Sequence, residues 1–219
     1  PEILELARRD AERIYVGKAP GCHSWPQEKI TQTLVMAAKR GQRVVRLKCG
    51  DPGVFGRSTE EVDALKASGI AFEIIPGVTA ACAAAASIGE SLTDRGKIDT
   101  VVLTTGHRQD GYTVPEPIKD IRPGTCVALY MAVGAAPQIV DHLKTAHPGV
   151  QFDLQIAAKA QRKDQKILRC SIQDLETTLS VNKIAGEAML FIRWPREAQQ
   201  ADMPLVQSAV GRVVSMVQD

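Results

Sequence analysis

The chain has 219 residues, 44% of them hydrophobic and 24% charged, with 27 basic and 25 acidic residues leaving a net charge of +2. That length serves one large α/β domain or two small ones, the composition argues against disorder, and the near balance of charge marks neither a nucleic acid nor an anionic membrane as partner. Cys22, Cys49, Cys82, Cys126 and Cys170 are scattered with no Cys-x-x-Cys pair, which argues against a disulfide framework or structural zinc and for a reducing cytoplasm, and no apolar run approaches the roughly eighteen residues of a membrane span.

In chain order, residues 1 to 13 are expected to form a helix with Ile3, Leu4, Leu6, Ala7 and Ala11 on its apolar side, followed by a short strand over 14–16 and a Gly/Pro-rich turn over 17–21. A second helix starts at Ser24 as cap, with Pro26 in its first turn, and ends at Gly41. Residues 44–47 read as a strand running into a Gly50-Asp-Pro-Gly53 turn, and 58–67 as a helix whose acidic first turn suits the helix dipole. Residues 72–75 are the next strand, and an alanine-rich helix begins at Thr79. This alternation predicts a largely parallel sheet.

The pattern changes after Gly96. Strands are expected over 100–104, 125–131, 154–159, 165–170 and 188–193, with a helix over 137–145, so a second domain with a mixed sheet follows. The expected division is an N-terminal α/β domain over 1–98, a C-terminal α/β domain over 99–200 and a C-terminal segment over 201–219, in which 203–218 reads as an amphipathic helix.

Two strand-to-turn junctions separated by one helix would bring Cys49-Gly50-Asp51 and Gly77-Val78-Thr79-Ala80 to the same rim of a sheet, where open α/β sheets bind ligands. The chemistry of that rim is narrowed by what the chain lacks. Neither Gly-x-x-x-x-Gly-Lys-Ser/Thr nor Gly-x-Gly-x-x-Gly occurs, and the aspartate of the turn opposes a phosphate. Gly-x-Ser-x-Gly is absent, and Cys22-His23 are neighbours on a turn that seldom face each other. His23, His107, His142 and His147 show no metal-ligand spacing, so no metal is expected. Backbone amides and small side chains remain, which suit a neutral or zwitterionic cofactor with a nucleoside and an amino-acid part.

The stretches Lys48-Cys-Gly-Asp-Pro-Gly-Val-Phe-Gly-Arg57, Ile75-Pro-Gly-Val-Thr-Ala-Ala81, Ser91-Leu-Thr-Asp-Arg-Gly96 and Thr104-Thr-Gly-His107 resemble, in order and spacing, the motifs of the tetrapyrrole methylases. Tyr15-Val-Gly-Lys-Ala-Pro-Gly-Cys-His-Ser-Trp-Pro-Gln-Glu28 is similar to the uroporphyrinogen-III C-methyltransferase subgroup. The resemblance implies a two-domain α/β fold, a homodimer, and S-adenosylmethionine held between the domains. It implies methylation of uroporphyrinogen III at C2 and C7 to precorrin-2 for sirohaem or cobalamin, with S-adenosylhomocysteine as product. Carried over by motif, Cys49, Gly50, Asp51, Val54, Thr79 and Ala80 would contact the cofactor, as would Met131 and a residue near Ala160 further along. Lys18 falls where the family has a proton donor, and Arg57, Arg95, His107 and Arg108 are candidates to bind the substrate carboxylates.

Three departures accompany the resemblance. The family's opening strand, its Gly-x-Gly-Pro-Gly-Asp-Pro loop and an aspartate assigned as proton acceptor would precede Pro1. The expectation is therefore that the native gene product carries that segment, or that the chain is truncated and inactive. Cys49 stands where the family has glycine. Asp94 replaces a histidine, and Lys159-Ala-Gln161 an acidic, glycine-containing loop. The alternatives are a methylase of another precorrin and an inactive relative that binds cofactor or tetrapyrrole.

Overall fold

The structure, a computed structural model, describes residues 2–17, 25–108 and 111–196. The chain divides into two compact units, the first ending at Ala80 and the second beginning at Ala81. The protein is of the α/β class, with its five-stranded sheet in the second unit.

In the first unit the expected helix over 1–13 is reduced to a 3-10 turn at Glu2–Leu6. Ile3 and Leu6 are exposed, so the apolar face that would have stabilised so short a helix has nothing to pack against. Helix α1 (Gln27–Lys39) begins after Pro26, which is its N-cap, with Glu28 in the first turn and Lys39 in the last, matching the sign of the helix dipole at both ends. Ser24, the expected cap, lies outside the described residues. Helix α2 (Ser58–Ala67) turns Glu61 and Leu65 inward.

The strands expected over 14–16, 44–47 and 72–75 do not form: no described residue of the first unit belongs to a strand. An apolar run becomes a strand only where a neighbour accepts and donates its backbone hydrogen bonds. Here Val45 is 81% and Ile75 66% exposed, so the segments carry strand composition without strand partners.

Helix α3 (Ala80–Ile88) carries the alanine-rich motif and buries Ala81, Ala84 and Ala85 at helical spacing. The sheet of the second unit follows, its strands β1 (Thr100–Thr105), β4 (Thr125–Tyr130), β5 (Asp153–Ala158), β6 (Lys166–Cys170) and β7 (Ala188–Trp194) lying in the order β1-β4-β7-β5-β6. β1 and β4 are parallel, and the β4–β7, β7–β5 and β5–β6 pairs are antiparallel, the mixed sheet expected after Gly96. A two-stranded ribbon, β2 (His107–Arg108) with β3 (Gly111–Tyr112), leaves the end of β1.

The core lies on one face of the sheet. Val127, Leu129, Leu154, Ile156, Leu190 and Ile192 alternate inward there against Ile139, Val140 and Leu143 of α5 (Ala136–Ala146), Leu175 and Leu179 of α6 (Leu175–Val181), and Ile118 of the short α4 (Glu116–Lys119). β4 is buried along its whole length, as a central strand covered on both faces must be. No helix among the described residues is long and apolar enough to cross a membrane. The expected helix over 203–218 lies outside the described residues.

Candidate functional site

The two junctions singled out in the sequence meet in the first unit. Asp51 is the clamp: its Oδ1 accepts the backbone N–H of Gly53 at 2.7 Å and its Oδ2 the N–H of Gly77 at 2.9 Å. One carboxylate thereby closes its own turn and ties it to the segment 26 residues on. Gly50 has φ +66°, a left-handed conformation that an L side chain adopts at a cost, and its α-carbon faces the backbone of 78–80. Gly77 packs so tightly on Gly50 that a Cβ there would lie 3.1 Å from the Gly50 carbonyl carbon and closer still to its oxygen. Cys49 and Val78 stand exposed beside this contact. Asp51→Ala, which orphans both amides, is expected to lower stability by about 1–3 kcal/mol, read from urea unfolding.

Below the loop sits a buried ion cluster that the sequence did not reveal. Glu61 of α2 accepts from Lys48 Nζ at 3.0 Å, Arg46 Nε at 3.2 Å and Gln27 Nε2 of α1 at 3.0 Å. Burial alone would push the Glu61 carboxyl up, but the hydrogen bonds from Lys48 and Gln27 and the charges of Arg46 and Lys48 prevail and hold it below the usual range.

In the second unit β1, β4 and β5 run in one direction, so their carboxyl ends share one edge of the sheet. There the chain places Gly106-His107 after β1, Met131 after β4 and Lys159-Ala160-Gln161 after β5. His107 is pinned to the strand end by Thr105, whose hydroxyl accepts the His107 N–H at 3.2 Å and donates to its carbonyl at 3.1 Å. The Ala81 N–H at the start of α3 donates to the Tyr130 hydroxyl at 3.2 Å, fixing the helix against the end of β4.

Backbone strain concentrates in these loops. Six non-glycine described residues have left-handed φ, and five of them are Phe55, Arg57, Met131, Lys159 and Gln161. Each such conformation costs about 1–3 kcal/mol and persists only where the surrounding structure over-determines it.

The candidate residues thus fall into two groups. Cys49, Gly50, Asp51, Val54, Arg57, Thr79 and Ala80 belong to the first unit, and Arg95, His107, Arg108, Met131 and Ala160 to the second. Lys18 lies outside the described residues. Arg57 is already engaged, donating Nε and Nη2 to Glu60 at 2.7 and 2.8 Å, whereas Arg95, His107 and Arg108 are exposed.

The loop bearing Arg95 has a buried anchor. Arg193 of β7 donates to the Ser91 carbonyl and pairs with Glu90, which also receives Gln155 Nε2 at 2.9 Å and pairs with Arg169. Gln155 also donates to Asp153 at 2.8 Å. These groups are dispersed over residues 90–193, and only the register that sets Asp153 beside Arg193 and Gln155 beside Arg169 brings them together.

A sequence profile of the tetrapyrrole (corrin/porphyrin) methylases matches residues 1–176. The chain is 38% identical over 193 residues to a siroheme synthase of Pseudomonas paraeruginosa, covering 88% of this chain and 41% of that protein. It is 50% identical over 139 residues to the siroheme synthase of Chromobacterium violaceum, covering 64% and 30%. The chain therefore spans less than half the length of these relatives. Among solved structures it resembles the uroporphyrin-III C-methyltransferase of Thermus thermophilus complexed with S-adenosylhomocysteine, with TM-score 0.70 and 26% identity over 88% of this chain and 80% of that one. It also resembles a cobalt precorrin-4 methyltransferase of cobalamin biosynthesis, with TM-score 0.69 and 29% identity over 80% and 72%.

Proposed function

Because the chain belongs to the tetrapyrrole (corrin/porphyrin) methylases, a family dependent on S-adenosylmethionine, we propose that it is a C-methyltransferase acting on uroporphyrinogen III at C2 and C7 to give precorrin-2. The observation that carries this reading is the clamp of Asp51 on Gly53 and Gly77. It turns two motif loops into one small, backbone-lined surface in which each Asp51 carboxylate oxygen is held by a backbone amide. Such a surface fits the nucleoside and amino-acid portions of S-adenosylmethionine. In the first unit Cys49, Gly50, Asp51, Val54, Thr79 and Ala80 would hold the cofactor, with Asp51 acting through the backbone it fixes. In the second, Met131 and Ala160 are assigned to it as well.

The cofactor supplies an electrophilic methyl group on a sulfonium. The protein has to align a pyrrolic carbon with that group and then manage the proton which the methylated carbon loses, so positioning carries much of the acceleration. Arg95, His107 and Arg108 are assigned to the substrate carboxylates. Arg57 is a weaker candidate because Glu60 already holds its guanidinium. Lys18 is assigned as proton donor by the resemblance. A cytoplasmic homodimer completes the reading, and sedimentation would report its mass.

The deciding experiment is anaerobic incubation of the protein with S-adenosylmethionine and uroporphyrinogen III, with products read by mass spectrometry. Two added methyl groups are expected. An unmethylated product with S-adenosylhomocysteine binding intact in calorimetry would move the substrate to another precorrin, the class named for the cobalt precorrin-4 methyltransferase.

A further inference from the structure

Building on the reading of this chain as a tetrapyrrole methylase, we infer that Tyr112 is a wall of the tetrapyrrole site that selects substrate by its aromatic face. Tyr112 ends the β2–β3 ribbon, directly opposite His107, and the two rings meet edge to face with centroids 5.0 Å apart. The base of the ribbon is closed by the Thr113 N–H donating to the Gly106 carbonyl at 3.2 Å. The tyrosine ring lies on Gly134, where a Cβ would come within 2.6 Å of Cε1. Gly134 belongs to the 3-10 turn Val133–Ala135 that follows Met131, so the ring is seated at the carboxyl edge of the sheet.

Tyr112 is held from two sides and is still 53% exposed. A large ring kept in one place with an open face has lost its conformational freedom before any ligand arrives, which favours binding over a mobile surface aromatic. The neighbouring groups match one class of ligand. His107 and Arg108, both exposed, stand on the strand paired with Tyr112. An aromatic face beside an imidazole is complementary to pyrrole rings that carry carboxylates at their periphery. Neither the nucleoside nor the amino-acid part of the cofactor needs that combination. Nor does the core: Tyr112 contributes to no buried cluster, so the glycine beneath it serves the position of the ring.

The test uses uroporphyrin III, the stable oxidised form of the proposed substrate, titrated by fluorescence against the whole protein, with S-adenosylhomocysteine binding measured in parallel by calorimetry. Tyr112→Ala is expected to weaken uroporphyrin III binding about tenfold, and Tyr112→Phe by less than about twofold because the ring is kept. Gly134→Ala, which displaces the ring without removing it, should reproduce the alanine variant. S-adenosylhomocysteine affinity should be unchanged in all three. Undiminished porphyrin binding by Tyr112→Ala would overturn the assignment, as would parallel loss of both ligands, which would mark a structural role. If the unsubstituted protein binds S-adenosylhomocysteine but not uroporphyrin III, the tetrapyrrole reading falls and the role of Tyr112 falls with it.

Discussion

Gly77→Ala is expected to abolish measurable S-adenosylhomocysteine binding, a loss of at least about 100-fold, and to lower stability by about 3 kcal/mol. The added carbon would lie closer than 3.0 Å to the Gly50 carbonyl oxygen, 3.1 Å from its carbon and 3.5 Å from the Asp51 Cα. All three are backbone atoms of the opposing loop, so no side-chain rotation relieves the overlap and one loop must move. Movement breaks the hydrogen bond from the Gly77 N–H to Asp51, and with it the clamp that Asp51 places between the two motif loops. Gly69→Ala is the control for a glycine substitution that meets no neighbour. Unlike Gly77, Gly69 has a left-handed φ of +66°, and nothing lies within 4 Å of its missing Cβ. It should cost about 1 kcal/mol and leave cofactor affinity unchanged. Equal loss of cofactor affinity in the two variants would show that the closeness of the loops does not govern the site.

How far the sequence foretold this arrangement depends on the range of the forces involved. The helices over 58–67 and 136–146 and the five strands of the sheet follow from local pattern, whereas the β2–β3 ribbon, which has no apolar stripe, does not. The convergence of Cys49-Gly50-Asp51 with Gly77-Ala80 was legible for the same reason, since two glycine-bearing turns at the ends of apolar runs have few other uses. The runs over 14–16, 44–47 and 72–75 show the limit of that reasoning. Their composition is that of strands, but a strand is a property of a pair, and no described neighbour completes the ladder. Glu61 and Arg193 were illegible for a different reason. In sequence each is one of many charged residues, and only the packing of α1 on α2 or the register of β7 on β5 shows that it is buried and multiply bonded. Tyr112 likewise gains meaning only from Gly134, 22 positions away, on which its ring rests.

Glu61→Ala is expected to destabilise the protein by about 2–4 kcal/mol, the second large effect. Its side chain is 6% exposed, that of Lys48 11% and that of Arg46 26%. Removing the carboxylate strands two cations, one of them nearly buried, whereas a surface pair would contribute under about 1 kcal/mol. Lys48 leads directly into Cys49-Gly50-Asp51, so cofactor affinity should fall with stability. The pH dependence separates charge from packing. The Glu61 carboxyl is held below its ordinary value in the folded protein, so the unfolded chain takes up the proton first as pH falls. The stabilisation is therefore complete above the ordinary glutamate value of about 4.3 and is lost as pH drops through the lower, folded value. Glu61→Gln keeps the shape and removes the charge. Urea unfolding should show it about 1–2 kcal/mol less stable than the parent at neutral pH, with the two curves converging in acid. A difference between them that stayed constant from neutral pH into the acid range would assign Glu61 a packing role and deny its charge any part in holding the loop.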